Sequence, residues 1–161
     1  MIKDDNISFF SPRTAGGGLV RGGSGQAMTQ NHQKSLKRRG NLAENLVENW
    51  LKKRPTEEGI SNVENKSGSA HNSGRNDSLH YDISFIKGGE TYYVEVKVAD
   101  SGEFHITASE LEFSRKNSKY YLLALVFLDE EVKKIKLVDD VYNKIKNVKV
   151  ADGWKVAIDH T

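Results

Sequence analysis

Asp82, Glu95 and Lys97 stand in a stretch, His80 to Lys97, that reads as a β-hairpin and sets two carboxylates beside an amine. Gly88-Gly89 is a two-residue turn signal between runs of Tyr, Ile, Phe and Val. With those glycines as the turn, Lys87 pairs with Glu90, Asp82 with Glu95, and His80 with Lys97. One face then carries His80, Asp82, Ser84, Tyr93, Glu95 and Lys97. The other, a core face, carries Tyr81, Ile83, Phe85, Tyr92, Val94, Val96 and Val98. Like charges directly opposed, with Cβ atoms about 5 Å apart, are destabilising unless something offsets them. A divalent cation does so: two carboxylates, a backbone carbonyl and water suit Mg²⁺ or Mn²⁺. An ammonium on the same face can hold and help deprotonate an attacking water, or neutralise charge gathering on a phosphate. The ordinary alternative is a hairpin face whose Asp, Glu and Lys are solvated charges. The register and the absence of another lysine between Asp82 and Glu95 on that face weigh against it.

These residues need elements to hold them. From Asn41, the apolar residues Leu42, Ala43, Leu46, Val47, Trp50 and Leu51 recur at the spacing of an amphipathic helix that Pro55 ends. Asn41 and Glu44 suit a capping box at its start. Residues 56 to 79 read as a polar loop with a short strand suggested by Ile60 and Val63; His71 and Arg75 in it are weak candidates for substrate contact. Phe104 to Ile106 is extended, and Thr107 with Glu110 makes a capping box for a helix ending near Asn117. Tyr120 to Phe127 is nearly continuous apolar sequence, as in a strand buried on both faces. Ile135 and Leu137 alternate with lysines in a half-exposed strand, Asp139 or Asp140 suits the cap of a short helix, and Trp154, Val156 and Ile158 suggest a last edge strand. The expected fold class is α/β, a mixed central sheet flanked by helices.

The chain resembles the PD-(D/E)xK nuclease superfamily through Asp82, Glu95-Val96-Lys97 and the helix bearing Glu44. More narrowly, residues from about Gly40 to Phe127 are similar to the NO VEIN C-terminal domain family. The matching motifs are Gly40 with Ala43-Glu44, Tyr81-Asp82-Ile83, Glu95-Val96-Lys97, Thr107-Ala-Ser-Glu110 and Tyr120-Tyr121-Leu122. His80 stands where the family has glycine, and Val98 where it more often has a small or polar residue. The resemblance implies a restriction-endonuclease-like αβββαβ core and a site glutamate at Glu44, which competes there with the capping role.

Composition sets the bounds. The chain has 161 residues, 37% of them hydrophobic, a net charge of +2 and no cysteine. That suits one domain and excludes a disulfide framework or thiolate metal site. Residues 1–33, with Gly16-Gly17-Gly18, Gly22-Gly23 and Gly25, read as a flexible tail, Phe9 and Phe10 included, and residues 34–161 as the nuclease-like domain. The glycines lack the Gly-Lys-Ser/Thr ending of a phosphate-binding loop. No apolar run spans a membrane and no secretory leader is evident, so a cytoplasmic protein is expected. Lys37, Arg38 and Arg39 before the first helix, and Lys52 and Lys53 closing it, offer a basic surface to phosphates, or simply a solubilising one.

The expected function is a Mg²⁺- or Mn²⁺-dependent nuclease, acting on DNA in a defence or DNA-processing system. Asp82, Glu95 and the Val96 carbonyl would bind the metal, with Lys97 and Glu44 completing the catalytic set. His80 and Glu110 are accessory candidates, each with an ordinary reading, as a polar neighbour and as a helix cap. A homodimer or a partner protein fits such an enzyme. The alternative is a catalytically inactive nucleic-acid-binding or protein-interaction module with the same fold.

Overall fold

The glycines of the hairpin behave as their sequence requires. Gly88 and Gly89 have φ of 60° and 78°, left-handed values that glycine adopts at little cost. They join β3 (Ile83–Lys87) to β4 (Glu90–Val98) in the expected register, Lys87 opposite Glu90 and Ile83 opposite Val94. The computed structural model describes residues 7–10, 30–54, 59–66, 79–148 and 154–160. The glycine clusters of the N-terminal part, Pro55, His71 and Arg75 lie outside them.

Five strands form the main sheet in the order β2-β3-β4-β6-β7, with β2 (Ile60–Asn65) at one edge and β7 (Lys134–Val138) at the other. All seven residues of β6 (Tyr121–Phe127) are buried. This strand runs parallel to β4, and the connection between them passes through α2 (Ala108–Lys116), as a parallel crossover demands. A second sheet, β1-β8-β5, joins Ile7–Phe10, Trp154–His160 and Glu103–Ile106. Trp154–His160 is therefore a central strand, not an edge. Phe9 is not free either: its ring meets Phe104 edge-on at 5.7 Å.

Helix α1 (Gln30–Lys52) starts well before Asn41. Gln30 to Arg39 contain no glycine or proline and several good helix formers, so nothing in them stops the helix. Asn41 thus sits in the interior, and the capping box drawn between Asn41 and Glu44 does not exist. The two basic clusters expected to share one surface lie on this single helix, with Lys37 and Lys52 roughly 22 Å apart along its axis. Ala43, Val47 and Leu51 face inward against Ile83, Phe85, Val94, Val96, Leu122 and Ala124. Full burial of Val47 and Leu51 contributes about 1.5–3 kcal/mol each. The opposite sheet face packs Tyr121, Leu123, Leu125 and Phe127 against α2, the second sheet and α3 (Val141–Ile145). Glu95 and Lys97 pair with Leu123 and Leu125, so they belong to this second face. Asp140, expected as a cap, does stand at the N-cap of α3, but in a left-handed conformation without a side-chain cap bond.

Candidate active site

Asp82 lies just beyond the end of β3. Its amide donates to the Val94 carbonyl at 2.9 Å, although Val94 already pairs with Ile83, so two residues oppose one as in a β-bulge. Asp82 is therefore not squarely opposite Glu95. The slip comes from His80, whose φ of 57° is left-handed, a conformation that costs a non-glycine residue roughly 1–2 kcal/mol. The same twist moves Tyr81 off the expected core face. Its ring packs on Tyr93 at 4.8 Å and on Phe113 at 5.7 Å. His80 does not pair with Lys97 in a strand ladder, and its ring lies 6.0 Å from that of Phe113.

The Asp82 carboxylate takes over part of the lost ladder. Its Oδ2 accepts the Val96 N–H at 2.8 Å. Along β4 the amides of Tyr93 and Ala99 donate to Tyr120 and Val126 on the β6 side, so Val96, three residues from each, directs its amide and carbonyl toward β3. That carbonyl lies beyond the last β3–β4 pair, on the edge where Asp82 sits.

Lys97 is held between two glutamates. Its Nζ is 2.8 Å from Glu95 Oε1 and 3.1 and 3.3 Å from the two oxygens of Glu110. Glu110 does two jobs at once. Its Oε2 accepts the Thr107 N–H at 2.9 Å while Thr107 Oγ1 accepts the Glu110 N–H, a complete capping box. The cap reading of Glu110 is right, yet the cap also delivers a carboxylate to Lys97. This contact depends on how α2 lies across β4, which no local motif states.

Burial sets the electrostatics. Glu95 and Asp82 are 4% and 7% exposed. Desolvation pushes the Glu95 carboxyl well above its usual range; Lys97 opposes this, while Asp82 and Glu110 reinforce it. Desolvation would lower Lys97, but Glu95 and Glu110 outweigh it and hold its pKa above that of an ordinary lysine. Glu110, despite desolvation, is lowered by Lys97 and the Thr107 amide. Lys97 has two anionic partners and Glu95 one cation. Lys97 therefore stays charged between the two carboxyls, and Glu110 ionises more readily than Glu95.

The remaining candidates are dispersed. Glu44 is partly buried on α1, the helix packed on the sheet face opposite Glu95 and Lys97, so only the strand ends offer it a route to the cluster. Arg39 is committed to Asp100 at 2.6 Å and Asp129 at 2.9 Å, fastening α1 to the ends of β4 and β6. Lys52 pairs with Glu48 at 2.6 Å. Lys37, Arg38 and Lys53 are exposed. A cleft of about 370 Å³ is lined by Leu36, Arg39, Gly40, Val98, Asp100, Ser101 and Asp129, but Asp82, Glu95 and Lys97 do not line it.

Among the described residues, no group of three or more His, Asp or Glu side chains is arranged to hold a metal ion. The smaller set of Asp82, Glu95 and the Val96 carbonyl offers hard oxygens only. That donor chemistry fits Mg²⁺ or Mn²⁺ with water completing the shell. The fold is an α/β domain with a mixed central sheet flanked by helices, and it sets Glu95 on β4 and Asp82 just beyond β3.

The model of the family described as Protein NO VEIN, C-terminal, matches residues 43–138, more than half of the chain, and the chain belongs to that family. Among solved structures, it is similar to Hjc of Archaeoglobus fulgidus, a Holliday junction resolvase from an archaeal hyperthermophile. The two share 18% identity over 71% of this chain and 83% of the other, with a TM-score of 0.46. No curated protein matches. No helix among the described residues is long and apolar enough to cross a membrane.

Proposed function

We propose that this domain is a Mg²⁺- or Mn²⁺-dependent nuclease that hydrolyses phosphodiester bonds, with DNA as the substrate. The observation that carries the reading is the buried meeting of Lys97 with Glu95 and Glu110 beside Asp82. A cluster of three carboxylates and one ammonium has an excess of negative charge, which a divalent cation would neutralise. Asp82, Glu95 and the Val96 carbonyl would hold that cation, which supplies Lewis-acid charge to the scissile phosphate. Lys97, kept charged by its neighbours, acts as a donor that orients the attacking water or meets phosphate charge, rather than as a base. Glu110 holds Lys97 in place. Glu44 would serve as an outer carboxylate, and Lys37, Arg38, Lys52 and Lys53 would meet the nucleic-acid backbone. A homodimer or a partner protein would position a duplex, in a defence or DNA-processing setting.

The test is hydrolysis of single-stranded and duplex DNA with Mg²⁺ or Mn²⁺. Cleavage by the wild type that is lost in Lys97→Ala is the expected result; equal cleavage by both proteins rules the mechanism out. The closed contacts of Lys97 with Glu95 and Glu110 favour a second reading, a non-catalytic nucleic-acid-binding module. Salt-sensitive DNA binding by both wild type and Asp82→Asn, without cleavage by either, would establish it.

A further inference from the structure

Tyr121 opens β6 and is 1% exposed. Its hydroxyl oxygen is the buried side-chain polar atom that lacks a hydrogen-bond partner among the described residues. The ring cannot easily swing away: it lies beside Tyr93 in the parallel register and meets Phe113 of α2 at 6.0 Å and 63°. An orphaned buried hydroxyl is costly, whereas phenylalanine would fill the same space without that cost.

The surroundings suggest what the hydroxyl is for. Tyr121 shares the sheet face of Glu95 and Lys97, and the nearby charges of Glu95, Glu110 and Asp82 act on its hydroxyl, adding to the effect of burial in raising its pKa well above the usual tyrosine range. It remains a protonated donor. Glu95 and Glu110 are both engaged with Lys97. We propose that Tyr121 is a positioning residue of this cluster, its hydroxyl a donor that gains an acceptor only when the carboxylates hold a divalent cation. The inference rests on the reading that Asp82 and Glu95 take up such an ion. With Glu95 committed to the ion, the Tyr121 hydroxyl would donate to a carboxylate oxygen left over in the cluster.

The experiment compares wild type, Tyr121→Phe and the control Tyr92→Phe by thermal denaturation without metal and by calorimetric Mn²⁺ titration. Tyr92 lies on the other face, stacked on Phe85 at 5.2 Å. Tyr121→Phe is expected to raise the metal-free Tm by at least about 2 °C and to weaken Mn²⁺ binding about tenfold. Tyr92→Phe changes neither. Mn²⁺ binding by the wild type with unchanged affinity in Tyr121→Phe overturns the role of Tyr121 while leaving the cation site standing. A lower metal-free Tm for Tyr121→Phe overturns it too, because the hydroxyl would then already have a partner. No Mn²⁺ binding by the wild type overturns both the cation reading and this inference.

Discussion

Replacing Lys97 by methionine keeps an unbranched side chain one atom shorter and removes the cation that touches both Glu95 and Glu110. Breaking a buried ion pair by deleting one partner costs about 3–5 kcal/mol, because the surviving charge is left uncompensated. The Lys97 side chain keeps 18% exposure, so water relieves part of this and the lower end, about 3 kcal/mol, applies. For a chain of this size that is a fall in Tm of roughly 6–12 °C. The pH dependence has a definite sign. In the wild type the raised pKa of Lys97 makes its contribution fully present below the ordinary lysine range, and it fades only as pH climbs beyond that range. The lowered pKa of Glu110 makes its share present above the ordinary glutamate range, and it is lost as pH falls through the depressed value. In Lys97→Met both carboxyls rise, so mild acid neutralises them and restores stability. The deficit measured by circular dichroism melts should therefore be larger at pH 8 than at pH 5. A loss below about 1 kcal/mol, or one that does not change between the two pH values, would refute the electrostatic account.

Two further substitutions test the backbone. His80→Gly and His80→Ala both remove the ring beside Phe113, but only glycine suits a φ of 57°, so the glycine variant should be more stable by about 1 kcal/mol in urea titrations. Equal stability would mean that His80 bears no strain. Gly40 sits inside α1, and beyond its chain neighbours and the nearby backbone of its own helix no atom comes within 4 Å of the place a Cβ would occupy, so Gly40→Ala should stabilise the helix by about 0.5–1 kcal/mol. A drop in Tm would show that the cleft wall it lines must stay open.

The hairpin was legible because its register rests on local chemistry: two glycines in left-handed geometry and alternating apolar residues between them. Tyr121 to Phe127 read as a central strand for the same reason, since burial on both faces leaves no polar position. The capping box of Thr107 and Glu110 was equally plain. The first half of α1 was not, because Gln30 to Arg38 are exposed all round and leave no apolar period to read. Trp154–His160 looked like an edge because its neighbours, β1 and β5, come from distant parts of the chain. At the site, period-two alternation placed Glu95 and Lys97 correctly on one face but misplaced Tyr81, because the left-handed residue before it breaks the period. Glu110 was read as a cap, and its reach to Lys97 became visible only once α2 was laid across the sheet.

The central claim is that Asp82 and Glu95 form a divalent-cation site. Calorimetric titration of Mn²⁺ into wild type and Asp82→Asn tests it most directly, since the asparagine carbonyl can still accept the Val96 N–H and keep the local fold. One ion per chain in the wild type, bound at least about tenfold more weakly by Asp82→Asn, is the predicted result. Equal affinities, or no binding by the wild type at all, would contradict it.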